Sequence, residues 1–341
     1  MLQTVWFLLW GILWAVYFML DGYDLGLGTL APFITRDDND KRVIYNSIGP
    51  FWDANEVWLI TAGGVTFAAF PTTYAVMFSA LYTPLLLLLF ALIIRAVALE
   101  FRSKEKNENW RKIWDFCHFL GSFVPALLLG VAFANIFKGI PIDQEGVFKG
   151  NLITLLNPYG LLGGILFVLL FLVHGGLWLA IKAEGDLEKR AASAASGLWL
   201  ILLVVAVAFL VATWFATSLY VNYLTNPILF VIPLVTVLAL LATRIFIGQK
   251  AYWKAWFASS LTIVGATLFG VIGLYPNLFP SSLNPAYSLN IYNSSSSPLT
   301  LKIMLGVALT FVPIVIAYQI WSYYLFRDKI TKNDLASDEA Y

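Results

Sequence analysis

Nine apolar stretches divide the chain, near residues 2–28, 51–70, 75–101, 114–137, 158–181, 195–219, 228–247, 255–275 and 301–326. A helix needs about 20 apolar residues to cross roughly 30 Å of hydrocarbon. Backbone groups in lipid must bond within their own segment, which makes helices the natural spans. The pattern predicts an all-α polytopic membrane protein that crosses the bilayer about nine times. The first stretch has no basic leading region and runs into acidic residues instead of a small-residue cleavage motif, so it reads as a retained helix.

Composition agrees with a chain solvated by lipid. Hydrophobic residues make up 60% and charged residues only 12%, against about a quarter in soluble domains. The net charge of +1 points to no nucleic acid. The single cysteine, Cys117, excludes an intrachain disulfide and a thiolate metal site.

The placement of the cations says more than their sum. Arg36, Lys41 and Arg42 follow the first stretch, and Arg102, Lys104, Lys106, Arg111 and Lys112 follow the third. Lys182, Lys189 and Arg190 follow the fifth, Arg244, Lys250 and Lys254 lie near the seventh-to-eighth connection, and Arg327, Lys329 and Lys332 close the tail. The alternate connections hold only Lys138 and Lys149, with Lys302 at a helix mouth. By the positive-inside rule the N-terminus is outside and the C-terminus cytoplasmic, which requires an odd number of spans. The outer connection at 277–300 is rich in Ser, Asn and Pro and uncharged. A surface cap and a loose loop both fit it.

Charge inside spans is costly and usually faces the protein interior. Here it clusters. Asp21 and Asp24 share a face of the first span at i and i+3. Asp53 and Glu56 repeat that spacing at the start of the second, and Arg95 and Glu100 lie in the third. All six belong to the cytoplasmic half or its edge, with Asp21 and Arg95 each about 10 Å deep. The outer halves of these helices hold no acid, and the cores of the sixth to eighth spans hold no ionisable group. The asymmetry describes a half-channel open to the cytoplasm that passes protons or cations. The plainer reading has Asp21 or Asp24 neutralising Arg95, and Asp53 and Glu56 favoured by the dipole of a helix N-terminus. Trp52 sits beside Asp53 and either gates or packs that carboxylate. His118 and His174 are too few for several haems and read as hydrogen-bonding or proton-relay groups. An ion- or proton-coupled carrier is the rival reading.

The string Leu20-Asp21-Gly22-Tyr23-Asp24-Leu25-Gly26-Leu27-Gly28 resembles the first-helix motif of subunit II of cytochrome bd-type quinol oxidases. So does Ile48-Gly49-Pro50-Phe51-Trp52-Asp53-Ala54-Asn55-Glu56-Val57-Trp58, with Ala54 where the family has Gly. Gly63-Gly64 through Phe70-Pro71, Arg95 through Glu100-Phe101-Arg102-Ser103, and Gly121-Ser122-Phe123-Val124-Pro125 fit the same pattern.

The resemblance implies two four-helix bundles (within 1–137 and 158–276) joined by an outer loop at 138–157. A peripheral helix at 301–326 and a cytoplasmic tail at 327–341 complete the chain. It implies a prokaryotic plasma-membrane complex with a haem-bearing subunit I that holds haem b and haem d, sometimes with a small single-helix accessory subunit. This chain would bind no cofactor, with quinone and lipid as neighbours. It implies that Asp21, Asp24, Asp53 and Glu100 form a cytoplasmic proton path toward the oxygen-reducing haem. Glu56 belongs to the same acidic set, although the family tolerates an amide there. Arg95, Trp52 and Asn55 would support the path.

Overall fold

The computed structural model describes residues 1–331 and 334–336, so Lys332 lies outside the described residues. Helices dominate. They are α1 (Leu2–Ile34), α2 (Asp38–Ile48), α3 (Trp52–Ala69), α4 (Pro71–Ala80), α5 (Tyr82–Phe101), α6 (Glu108–Lys138), α7 (Leu152–Leu155), α8 (Pro158–Lys182), α9 (Gly185–Ala216), α10 (Tyr220–Thr225), α11 (Val231–Gly248), α12 (Tyr252–Leu274) and α13 (Pro298–Leu325). Among the described residues eight helices are long and apolar enough to cross a membrane. The ninth expected span is α3. Its 18 residues reach about 27 Å, but Asp53, Asn55 and Glu56 make its first turns polar.

Some boundaries differ from the hydrophobic pattern. The third expected span is broken at Leu81, between α4 and α5. Pro84 lacks the amide that would donate to the carbonyl of Ala80, so the helical ladder restarts there. The first and sixth expected spans extend at their charged ends, to Ile34 in α1 and back to Gly185 in α9. Their polar turns need no hydrocarbon around them, because they bond to one another.

Helix α1 is the centre of the packing, with α3, α6, α8 and α12 against it. α5 lies on α6, α9 on α8 and α11 on α12, while α13 touches α1 and α3. Glycines allow α1 and α8 to meet backbone to backbone, since a Cβ at Gly26 would stand 1.7 Å from the carbonyl oxygen of Phe171. Helices in lipid gain no hydrophobic drive from pairing, and close approach through small residues supplies contact instead.

One end of the molecule is held by ions. Arg36 and Arg190 share Asp186 at 2.9 and 3.0 Å, and Arg190 also reaches Asp40 at 2.8 Å. Lys41 and Arg102 share Asp115 at 2.8 and 2.6 Å, and Arg102 and Arg111 share Asp38 at 2.6 and 2.9 Å. Lys329 pairs with Glu188 at 2.6 Å. The more exposed of these pairs, such as Arg36 with Asp186, contribute little stability each. Their information is positional: three of the basic connections and the tail share one end. Buried Lys182 completes the join by donating to the carbonyls of Phe326 and Asp328 beyond α13.

The opposite end carries a folded cap, which decides between the two readings of that Ser/Asn/Pro segment. Strands β1 (Asn277–Phe279) and β2 (Leu289–Asn290) pair antiparallel. Ser281 Oγ donates to the Ile142 carbonyl at 2.6 Å, tying the segment to the 138–157 loop. Thr73 bonds Ser294 at 2.8 Å, and the Ser296 amide donates to the Ala69 carbonyl at 2.8 Å, so the break between α3 and α4 is covered too.

Candidate functional site

Asp21 and Asp24 lie on the buried face of α1, at 0% and 1% exposure. Arg95 enters from α5, equally buried. Its Nη1 stands 2.8 Å from Asp21 Oδ1 and its Nη2 3.1 Å from Glu56 Oε2 of α3. Of the two acids at matching depth, Asp21 is therefore the partner of Arg95. Glu56 is the second partner. A buried guanidinium needs charge and hydrogen bonds around it to offset the loss of water, and two carboxylates, one on α1 and one on α3, supply them.

Asp24 belongs to a different circuit. Asn55 Nδ2 donates to Asp24 Oδ2 and to the Tyr23 hydroxyl, both at 2.8 Å. Tyr23 and Tyr323 hydroxyls lie 2.7 Å apart, and Tyr323 donates back to Asn55 Oδ1 at 3.1 Å. Gln319 Nε2 also donates to Asn55 Oδ1, at 3.2 Å, while its Oε1 accepts from Trp58 Nε1 at 2.9 Å. α13 thus closes over the acids with two polar side chains. Among the described residues, Asp24 Oδ1, Asp21 Oδ2 and Arg95 Nε are buried without a hydrogen-bond partner.

The arrangement brings together Asp21, Asp24, Asn55, Glu56 and Arg95. Asp53 is exposed in the first turn of α3, three residues before Glu56, and Glu100 is exposed on α5. Both, being exposed, lie outside the buried set. Trp52 is half-buried and packs against the apolar core next to Asp53. Carboxylates thus run from an exposed position (Asp53) through a half-buried one (Glu56, 21% exposed) to fully buried ones. Such a series can hold and hand on protons.

Comparison with known proteins gives the family. A family model described as cytochrome bd terminal oxidase subunit II matches residues 2–326. The chain belongs to the cytochrome bd terminal oxidase subunit II family. It is 37% identical over 336 residues to cytochrome bd ubiquinol oxidase subunit 2 of Bacillus subtilis, covering 98% of each chain. It is 37% identical over 368 residues to cytochrome bd-I ubiquinol oxidase subunit 2 of Escherichia coli K12, covering 98% of this chain and 96% of the relative. The fold matches a chain of the bd oxidase from Geobacillus thermodenitrificans with a TM-score of 0.76 at 18% identity, covering 95% and 97%. Family membership makes the chain a multi-pass plasma-membrane subunit of an oxidoreductase complex and sets aside the carrier reading.

A cytochrome complex contains haem, and the two histidines of this chain do not fit one. His174 has both ring nitrogens engaged, Nδ1 with Ser259 Oγ at 3.1 Å and Nε2 with the Met19 carbonyl at 3.0 Å. Trp256 stacks on it at 5.1 Å. His118 turns Nε2 toward α1 at Gly28, where a Cβ would already stand 3.0 Å away. That nitrogen thus faces the backbone of α1. Among the described residues no three His, Cys, Asp or Glu side chains are grouped to hold a metal ion. His118→Ala and His174→Ala are therefore expected to leave every haem absorbance band of the assembled complex in place. Loss of one band from an assembled variant would assign that histidine as a ligand.

Sequence reasoning missed Tyr23, Trp58, Gln319 and Tyr323. Gln319 carried a signal: it is the lone amide in the ninth apolar stretch, and a polar side chain in a span usually has a partner. Tyr23 lies within the first-helix motif, whereas Tyr323 carried no signal, being one tyrosine among 16.

Proposed function

We propose that this chain is the haem-free subunit II of a quinol:oxygen oxidoreductase. It braces a haem-bearing subunit I, which holds haem b and haem d and the quinol-oxidising site, and it conducts protons from the cytoplasm toward reduction of dioxygen to water. The observation that carries the proton role is the graded burial of carboxylates from Asp53 through Glu56 to Asp21 and Asp24, at the end where the basic connections gather. Reducing one dioxygen to two waters consumes four protons, and carboxylates are the groups here able to bind and release them. In this reading Asp21 and Asp24 form the inner part of the path, Arg95 holds it in place, and Asn55 orients Asp24. Asp53 and Glu100 stand at the cytoplasmic surface, and Trp52 packs the entrance of α3. The helices around α1, α3, α5 and α6 form one bundle, those around α8, α9, α11 and α12 a second, and α13 is peripheral. An apolar cavity of about 600 Å³, lined by Trp10, Trp14, Phe67 and Met77 among others, suits an isoprenoid or acyl chain of a quinone or lipid.

Isolating the chain from membranes under mild conditions tests the assembly. A haem-rich partner of similar size is expected to accompany it, with a small single-helix subunit compatible with the family. The chain freed of that partner is expected to show no haem absorbance. A haem spectrum retained by the separated chain would refute the assignment. Orientation has its own test. Reporter fusions in the connections at 102–107, 183–184 and 249–251 are expected to report cytoplasm, and an external signal from any of them would reverse the topology.

A further inference from the structure

At the charged end, a cavity of about 450 Å³ opens between α1, α2 and α6. Thr35, Arg36 and Lys41 line it, and so do Tyr45, Asp115 and His118. The charges that face His118 are already accounted for. Asp115, one turn earlier on α6, is held by Lys41 and Arg102 at 2.8 and 2.6 Å. Arg95 is held by Asp21 and Glu56. The Tyr45 ring lies 4.8 Å from the imidazole. His118 itself is 1% exposed.

Behind His118, Ser122 follows one turn later on the same face of α6. His118 Nε2 and Ser122 Oγ are both buried without a hydrogen-bond partner among the described residues. Both face one point on α1: a Cβ on Gly28 would stand 3.0 Å from Nε2 and 2.1 Å from Oγ. Gly28 shares a helical face with Asp24 and Asp21, four and seven residues earlier. The rise from Asp24 to Gly28 is about 6 Å. Asp24 Oδ1 and Asp21 Oδ2 are unpartnered as well. Buried polar atoms are overwhelmingly satisfied by protein or by ordered water. Two such atoms meet at Gly28 between α1 and α6, and two more lie on the acids one and two turns back along the same face of α1, which marks a polar route from the cavity to the buried acids.

We propose that this cavity is the proton entrance to the carboxylate cluster and that His118 is its relay, passing protons by way of Ser122 to Asp24. The proposal rests on the proton-conducting reading above and places the entry away from Asp53. A neutral imidazole carries one N–H and one bare nitrogen. A proton from cavity water adds to the bare nitrogen, and the opposite N–H releases its proton to the Ser122 hydroxyl or to water beside it. The hydroxyl then gives up its own proton toward the Asp24 carboxylate. One proton enters and one leaves, no electron moves, and the ring resets by rotation or by returning to its first tautomer.

The test uses the intact oxidase complex and reads oxygen consumption per haem. His118→Ala is expected to lower turnover about tenfold or more, in the range of lost acid–base relays, and millimolar imidazole is expected to restore much of it through the cavity. In a Cys117→Ser background, Thr35→Cys is expected to slow when a charged thiol reagent plugs the cavity, measured against the same variant before labelling. This second variant decides the matter if His118→Ala does not assemble. Unchanged turnover in His118→Ala, or a loss that imidazole does not restore together with indifference to the thiol reagent, would overturn the proposal. Asp24→Asn separates the two readings. If it slows turnover while both cavity tests are silent, the acids conduct protons that enter elsewhere. If Asp24→Asn is also silent, the proton-conducting role itself fails.

Discussion

Replacing Arg95 with leucine is expected to cut sharply the amount of assembled complex in the membrane. The guanidinium is fully buried and bound to Asp21 at 2.8 Å and Glu56 at 3.1 Å, so it joins α1, α3 and α5. Removing one partner of a buried ion pair typically costs about 3–5 kcal/mol, because the remaining charge is left without compensation. Here the loss falls on three helices that share one contact. The double change Arg95→Leu with Asp21→Leu is expected to recover part of the deficit. Arg95→Leu with Asp24→Leu is expected to recover less, because Asp24 is bonded to Asn55 and not to Arg95. Haem content per membrane protein, with the thermal midpoint of the purified complex, measures both. Equal recovery in the two double variants, or none in either, would show that the pairing does not hold the helices together.

Changing Asp24 to asparagine is expected to slow quinol-driven oxygen consumption per haem by roughly tenfold or more, the order of a lost proton-transfer group. The substitution keeps the size of the side chain, and its carbonyl can still accept from Asn55 Nδ2, so the circuit through Tyr23, Tyr323 and Gln319 has reason to persist. What disappears is the capacity to carry a proton. The defect is expected in the oxygen-reducing steps that take up protons, with quinol binding unchanged. A purely structural Asp24 predicts the reverse: less complex, with normal turnover in whatever assembles. Turnover normalised to haem discriminates between them.

Local features of the chain carried much of this picture. The apolar windows located the eight helices long and apolar enough to span, because crossing a bilayer demands about 20 apolar residues in succession. The spacing of Asp21 with Asp24 and of Asp53 with Glu56 is a property of a single helix and needs no partner to be read. α3 shows the limit of that reasoning. The polar turns that dilute its hydropathy are those that hold Asn55 and Glu56 to the acids of α1 and to α13. A segment judged by its own composition cannot register the partners that satisfy it.

The sequence by itself determined that this is a multi-span membrane protein with its cations at one end and its buried acids near that same end. Those properties are sums over neighbouring residues, and the bilayer penalises violations residue by residue. Only the tertiary structure decided which acid faces Arg95, since Asp21 and Asp24 sit on the same face of α1 at nearly the same depth. The choice depends on how α1 is rotated against α5 and α3, and contacts such as Gly26 on the backbone of Phe171 hold it in place from the far side. It likewise decided that Gln319 and Tyr323, more than 260 residues from Asn55, close the acid site. It also turned His118 toward Gly28. These pairings are set by the rotation and close approach of helices distant in sequence, which no periodicity along one segment encodes.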